Sequence, residues 1–263
     1  IRNNGRHVAE NRLRYDGIQY RVDFADLEKK LSDPQTTMMI LCNPHNPSGR
    51  VWKREELEEL SSICLKHGLY IISDDIHCEL VSNGHCHTFI SALSEAVKDR
   101  CIICTSPSKA FNLAGIHVAN CLISNAEIRK NYRKIADDSH AAENNAFAEA
   151  ALLGAYNDSE EWLEEVNQYI DKNLDYFVDY INREIPKLTV YRPEGTYLAW
   201  VDFSGTDIPG KDLQEYLLKE CHVAVNAGDF FGKEGEGFVR FNLACPRDRI
   251  TPVLEKLREK FAE

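Results

Sequence analysis

The chain has 263 residues, with 43% hydrophobic and 28% charged residues, a composition typical of a globular protein large enough for two domains. No apolar run approaches the roughly 20 residues that a membrane-spanning helix needs, so the sequence predicts no membrane partner. The net charge of −11 argues against nucleic acid as a partner, because phosphate binding requires a basic surface.

The nine cysteines are odd in number and scattered along the chain, several of them in apolar, strand-like runs. This usage predicts reduced thiols and a cytoplasmic protein rather than a disulfide framework. Cys101 and Cys104 form a C-x-x-C pair, but residues three apart on a strand point to opposite faces. We therefore predict no metal site there or elsewhere.

The first half of the chain alternates apolar runs with amphipathic segments, which predicts a mainly parallel sheet flanked by helices. From about residue 159 the pattern changes to a long helix followed by short strands and two further helices, which predicts a smaller α+β domain. We expect a large domain at 1–158 and a small C-terminal domain at 159–263. The predicted strands are 36–41, 69–73, 101–105, 119–123, 189–191, 197–202 and 238–242, and the predicted helices are 54–66, 90–97, 160–184, 211–220 and 249–261.

Three different polar side chains follow successive strands of the predicted sheet. Asn46 follows the first strand, Asp74 follows the second, and Lys109 follows the third. Ligands of open parallel sheets bind beyond the carboxyl ends of the strands, so these groups are expected to share one ligand site. Each has an ordinary explanation when taken alone, as a turn residue, a helix cap or an exposed lysine. Their combination favours a site.

The motifs around these residues resemble those of fold-type-I pyridoxal 5'-phosphate enzymes, the aspartate-aminotransferase-like superfamily. They are Asn-Pro-His-Asn-Pro-Ser-Gly at 43–49, Ser-Asp-Asp-Ile-His at 73–77, Ser-Pro-Ser-Lys-Ala-Phe-Asn at 106–112 and Arg-Phe-Asn-Leu-Ala-Cys-Pro-Arg at 240–247. The resemblance extends over essentially the whole chain and implies the α/β fold of the pyridoxal-phosphate-dependent transferases. The first two motifs look most like the MalY/PatB-type cystathionine β-lyases.

The resemblance implies a role for each matching residue. Lys109 is the expected Schiff-base lysine and the base that removes the substrate α-proton. Asp74 is expected to pair with the pyridinium nitrogen, and Asn46 to donate to the phenolic oxygen of the ring. Arg240 is expected to bind the α-carboxylate of an amino-acid substrate as a bidentate fork.

The phosphate group of the cofactor is expected to bind Ser106 and Ser108 through hydroxyl and backbone donors. Two positions depart from many aminotransferases: His77 stands where a cofactor-binding tyrosine is common, and His117 where a phosphate-binding arginine is common. These departures favour a C–S β-lyase over an aminotransferase. We include His77 among the expected cofactor contacts and assign no role to His117.

The sequence begins at Ile1 without a signal-like segment, and the resemblance implies that an N-terminal segment is missing. We expect the complete protein to be a homodimer, and the present chain alone to bind the cofactor weakly and to be inactive. The preferred function is α,β-elimination on cystathionine or cysteine-type amino acids, which yields pyruvate, ammonia and a thiol. The alternatives are an amino-acid aminotransferase and a regulatory or binding protein on the same fold.

Overall fold

The computed structural model describes residues 1–262 and shows two compact units, which we call the first and the second unit. The chain passes between them more than once, because two short segments of the N-terminal half belong to the second unit. The domain division at residue 158 stays a prediction. The first unit comprises Ile1–Asn43, Trp52–Glu79 and Cys86–Glu160, and the second comprises Pro44–Val51, Leu80–His85 and the described residues from Glu161 onward.

The first unit is built around a four-stranded sheet in the order β3-β4-β5-β6. The strands β3, β4 and β5 are parallel, and β6 is antiparallel to β5. A two-stranded antiparallel hairpin, β1-β2, lies apart from this sheet. The strands are β1 (Arg14–Tyr15), β2 (Tyr20–Arg21), β3 (Met38–Cys42), β4 (Tyr70–Asp74), β5 (Cys101–Thr105) and β6 (Asn120–Ile123), and the helices are α1 (Phe24–Leu31), α2 (Arg54–Lys66), α3 (Glu95–Lys98), α4 (Pro107–Ala110), α5 (Ala126–Asp138) and α6 (Ala148–Asp158).

The core of the first unit lies on one face of this sheet. Leu41, Ile71 and Ile103 point to this face from three neighbouring strands, and Leu57 and Leu60 of α2 pack against them. Full burial of an aliphatic side chain contributes about 1.5–3 kcal/mol. This apolar layer holds the three parallel strands in register and so fixes where their carboxyl ends lie.

The predicted elements of the first unit are largely confirmed. The helix predicted at 54–66 has those bounds, and all four predicted strands are present. The helix predicted at 90–97 is wrong as one element: a 3₁₀ turn over Ile90–Ala92 is followed by the separate α3. The Ser94 side chain accepts a hydrogen bond from the Val97 N–H, so it starts a new helix instead of continuing the turn.

The second unit has an antiparallel sheet in the order β7-β8-β10-β9, with the long helix α7 contributing to its core. The Phe177 ring of α7 lies 5.3 Å from that of Phe241 in the sheet. None of the helices within residues 1–262 is long and apolar enough to cross a bilayer. The elements are α7 (Glu160–Glu184), β7 (Thr189–Val190), β8 (Leu198–Asp202), α8 (Leu213–Glu220), β9 (Asn226–Ala227), β10 (Phe238–Asn242) and α9 (Arg247–Phe261).

The turn that carries Asn46 is held within the second unit by Glu194. Its carboxylate accepts hydrogen bonds from the Arg50 side chain and from the Val51 N–H, both at 2.9 Å. The backbone N–H groups of Glu194 and Gly195 donate to the Gly49 carbonyl at 2.8 and 2.9 Å. Arg50 is buried, so this ion pair is shielded from water and anchors the turn more firmly than an exposed pair would.

Gly49 is required by this anchoring, and Gly68 provides a matched comparison. Both have a positive φ, 70° and 72°, but only at Gly49 would a β-carbon overlap a neighbour, the side chain of Pro193. We expect Gly68→Ala to lower the free energy of unfolding by about 1 kcal/mol through backbone strain alone. We expect Gly49→Ala to lower it by about 2–4 kcal/mol, since overpacking adds to the same strain. Urea denaturation followed by tryptophan fluorescence measures both, and equal losses would contradict the steric explanation.

Candidate functional site

Asp74 is the last residue of β4 and presents a half-buried carboxylate at the carboxyl edge of the sheet. One of its oxygens accepts a hydrogen bond from the Ile76 N–H at 3.3 Å. Burial raises the pKa of this carboxyl, as does the neighbouring charge of Asp75, while the Ile76 N–H and the charge of Lys109 lower it. The net shift is upward, so a cationic ligand that binds Asp74 would stabilise its ionised form.

Lys109 is half-buried in the single turn of α4, which follows β5 directly. Its charge acts on Asp74, so the sheet brings the amine and the carboxylate into electrostatic reach within the first unit. Among residues 1–262 the Lys109 ammonium has neither a hydrogen bond nor an ion pair. An amine that is half-buried and unpartnered is available for covalent chemistry.

Ser106 and Ser108 flank the start of α4. Ser106 is buried, its hydroxyl donates to the Val118 carbonyl at 2.6 Å, and its oxygen accepts from the Ser108 N–H at 3.1 Å. The two hydroxyl oxygens lie 2.5 Å apart. Ser106 therefore caps the helix and donates its only hydrogen to the backbone. The Ser108 hydroxyl is then the donor in the contact between the two oxygens, and it has to rotate away from Ser106 before it can donate to a phosphate.

His77 is buried in the turn after β4, and its role as a cofactor contact stays a prediction. Asp75, the residue directly after Asp74, is fully buried. The His87 Nε2 lies 3.0 Å from its Oδ1. The backbone N–H of Asp75 donates to the Cys104 carbonyl, which continues the sheet ladder beyond Asp74. The Asp75 backbone thus supports the strand end that carries Asp74, a contribution that was not predicted from the sequence.

Asn46 and Arg240 are joined directly within the second unit. The Arg240 Nη1 donates to the Asn46 Oδ1 at 2.7 Å, and the Nη2 donates to the Asn226 Oδ1 at 2.8 Å. Because the Asn46 oxygen faces the guanidinium, its amide N–H groups remain as donors for another ligand. Asn226 was missed by the sequence analysis, since an asparagine in a two-residue strand carries no recognisable signal.

The Arg240 side chain is well positioned to bind an anion. Its guanidinium stacks over the Phe231 ring at 4.6 Å, and burial lowers its pKa from the ordinary value. The two asparagines use two of its five N–H groups, and its Nε is buried without a hydrogen-bond partner. A carboxylate can therefore bind without displacing either asparagine.

These groups fit the chemistry of pyridoxal 5'-phosphate. An available amine suits its aldehyde, a half-buried carboxylate suits its protonated ring nitrogen, and a serine hydroxyl at a helix start suits its phosphate. Asp74, His77, Ser106, Ser108 and Lys109 belong to the first unit. Asn46 and Arg240 belong to the second.

Comparison with known proteins places the chain among enzymes of one family. Residues 2–257 match the family described as aminotransferase class I and II. The chain is 38% identical to the cystathionine beta-lyase PatB of Bacillus subtilis (strain 168), covering 98% of this chain and 67% of that protein. It is 29% identical to the aspartate aminotransferase of Bacillus sp. (strain YM-2), covering 90% of this chain and 60% of that protein.

Among solved structures, the fold is similar to cystalysin from Treponema denticola, a structure that contains pyridoxal 5'-phosphate. The TM-score is 0.95 and the identity 35%, covering 98% of this chain and 66% of that one. The expected fold and cofactor are thereby confirmed. The chain spans about two thirds of the length of these relatives.

His45 makes the Asn46 turn sensitive to acid. Its Nδ1 lies 2.8 Å from the Ser48 Oγ, and burial together with the charge of Arg50 lowers its pKa from 6.5 to about 4. Between these values the unfolded chain binds more protons than the folded chain, so the free energy of unfolding falls as the pH drops through this window. The loss attributable to His45 is at most about 3 kcal/mol.

We expect His45→Gln to show a shallower fall in stability between pH 6.5 and pH 4 than the parent chain, because glutamine does not titrate. Urea denaturation at several pH values measures the difference, and the carboxylates common to both proteins cancel in the comparison. Parallel curves for the two proteins would contradict a neutral His45 in the folded state.

Proposed function

Because the chain belongs to the aminotransferase class I and II family of pyridoxal-phosphate-dependent enzymes, we propose that it forms part of a carbon–sulfur β-lyase. The substrate is proposed to be cystathionine or a related cysteine-type amino acid. With water, α,β-elimination converts it to a thiol, pyruvate and ammonia. The 38% identity to a cystathionine beta-lyase supports this choice over the aminotransferase alternative.

The observation that carries the proposal is that Lys109 lies within electrostatic reach of Asp74 at the carboxyl edge of the sheet. The amine has no hydrogen-bond or ion-pair partner among residues 1–262, and burial raises the pKa of the Asp74 carboxyl while the charge of Lys109 partly offsets that rise. Pyridoxal phosphate, when bound, supplies an electron-withdrawing ring that acidifies the substrate α-proton. We propose that Asp74 holds the ring nitrogen in its protonated form and that Lys109 removes the α-proton.

The remaining residues are proposed to bind and orient. Asn46 donates from its amide nitrogen to the phenolic oxygen of the cofactor, since its oxygen is occupied by Arg240. Arg240 binds the substrate α-carboxylate, which determines which bond at the α-carbon is activated. Ser108 binds the cofactor phosphate, with Ser106 and His77 completing the expected set. We further propose a homodimer in the cytoplasm, in keeping with nine free cysteines.

The reaction is tested on the full-length protein, including any sequence that precedes Ile1. We expect cystathionine to yield pyruvate, and Lys109→Ala to lower kcat/KM by about 10²–10⁴-fold, because the variant lacks the proposed base. Lys98→Ala is the matched control, since the Lys98 ammonium on α3 pairs with Glu95 and lies outside the proposed set of site residues. Lactate-dehydrogenase-coupled detection of pyruvate provides the measurement.

Transfer of the amino group to a keto acid without pyruvate would replace the lyase by the aminotransferase alternative. Pyruvate production that survives in Lys109→Ala would instead overturn the assignment of the base. The two outcomes are distinguishable in the same assay.

Asn226 is proposed as a positioning residue that acts through Arg240. Asn226→Ala removes one of the two hydrogen bonds that hold the guanidinium, and we expect KM for the amino-acid substrate to rise about 10-fold, equivalent to about 1.4 kcal/mol. We expect kcat and the cofactor absorbance to stay unchanged, because Asn226 is not among the proposed cofactor-binding residues. Steady-state kinetics separates the two constants, and a fall in kcat at constant KM would contradict this role.

A further inference from the structure

Two cysteines of the first unit face each other across the only antiparallel pair of strands in its four-stranded sheet. Cys104 of β5 is the direct register partner of Cys121 of β6. Directly opposed residues of antiparallel strands have Cα atoms about 4.5–5.5 Å apart, inside the 4.4–6.8 Å range that a disulfide spans. The backbone therefore already has the spacing that a bond between the two sulfurs requires.

The two thiols interact with each other and are open to small molecules. Their side chains lie on the same face of the sheet, and the Tyr132 hydroxyl of α5 donates to the Cys121 Sγ at 3.3 Å. Cys121 is exposed and Cys104 is half-buried. A reagent in solution therefore meets Cys121 first, with Cys104 behind it as the second thiol.

The surroundings favour the thiolate of Cys121. The neighbouring Cys104 thiol lowers the pKa of Cys121; burial opposes this shift and the Tyr132 hydroxyl assists it. The hydrogen bond to Cys121, followed by burial, raises the pKa of Cys104. Since the thiolate is the nucleophile in disulfide exchange, Cys121 is the attacking thiol and Cys104 the resolving thiol.

We propose that Cys104 and Cys121 form a reversible disulfide by exchange with low-molecular-weight disulfides of the cystine or glutathione type. The Cys121 thiolate attacks one sulfur of the small disulfide, whose S–S bond breaks and releases one thiolate. Cys104 then loses its proton and attacks the resulting mixed disulfide, which releases the second thiolate. The protein is oxidised by two electrons and the small disulfide is reduced to two thiols.

The proposed bond lies beside the candidate site and is independent of the proposed function. Cys104 is also the register partner of Asp74 on its other side, and β5 leads directly into the turn that carries Lys109. Linking β5 to β6 would restrain the strand that presents the amine. It would also remove a thiolate from the sheet face that carries Asp74.

The test uses the full-length protein with oxidised glutathione as the probe. Trypsin cleaves after Arg100, Lys109 and Arg129, so the bond would join peptide 101–109 to peptide 110–129. We expect mass spectrometry after acid quenching and alkylation to show this linked pair, and dithiothreitol to abolish it. Thiol titration in denaturant is expected to show two fewer thiols than in the same protein after reduction.

Cys101→Ser is the matched control, because Cys101 lies on peptide 101–109 but has no register partner on β6. We expect the Cys101→Ser variant to keep the disulfide between the two peptides. We expect the Cys104→Ser and Cys121→Ser variants to lose it. Loss of the link in Cys101→Ser would overturn the assignment. So would a glutathione adduct that stays on Cys121 of the parent protein, or the absence of any modification. None of these readouts depends on catalytic activity.

Discussion

The parallel register of β4 and β5 is the constraint on which the candidate site depends. Backbone hydrogen bonds fix Asp74 beside Cys104, and the chain then needs only the Ser106 cap and one helical turn to reach Lys109. Because the apolar layer beneath the strands holds this register, the distance between carboxylate and amine is set by the core rather than by flexible loops. A one-residue slip would turn Asp74 towards the opposite face.

Much of the first unit follows from local sequence. The α2 helix ends where the pattern predicts, since Gly68 with its φ of 72° closes it, and the strands are short apolar runs between turns. The presence of Asn46, Asp74 and Lys109 after three such runs was sufficient to predict a ligand site. Their individual chemical roles came from the resemblance, because strand position alone does not distinguish a cofactor contact from a cap.

Other features depend on contacts between residues distant in sequence and could not be predicted. The antiparallel direction of β6 depends on how the chain returns after α4. The hydrogen bond from the Ser106 hydroxyl to the Val118 carbonyl depends on that return as well. The hydrogen bond from Arg240 to Asn226 forms only when β9 pairs with β10. Each of these contacts modifies a predicted residue: Ser106 becomes a cap, and Arg240 is fixed in orientation before any substrate binds.

The two neighbours of β5 give its carboxyl end two kinds of chemistry. On one side the parallel partner β4 supplies Asp74, which a cationic ring can neutralise. On the other side the antiparallel partner β6 supplies Cys121, whose thiolate is stabilised by Cys104 and Tyr132. Cys121 and Asp74 lie on the same face of the sheet, one on each side of Cys104. The strand that leads to the proposed catalytic amine is thus also the strand that the proposed disulfide would restrain.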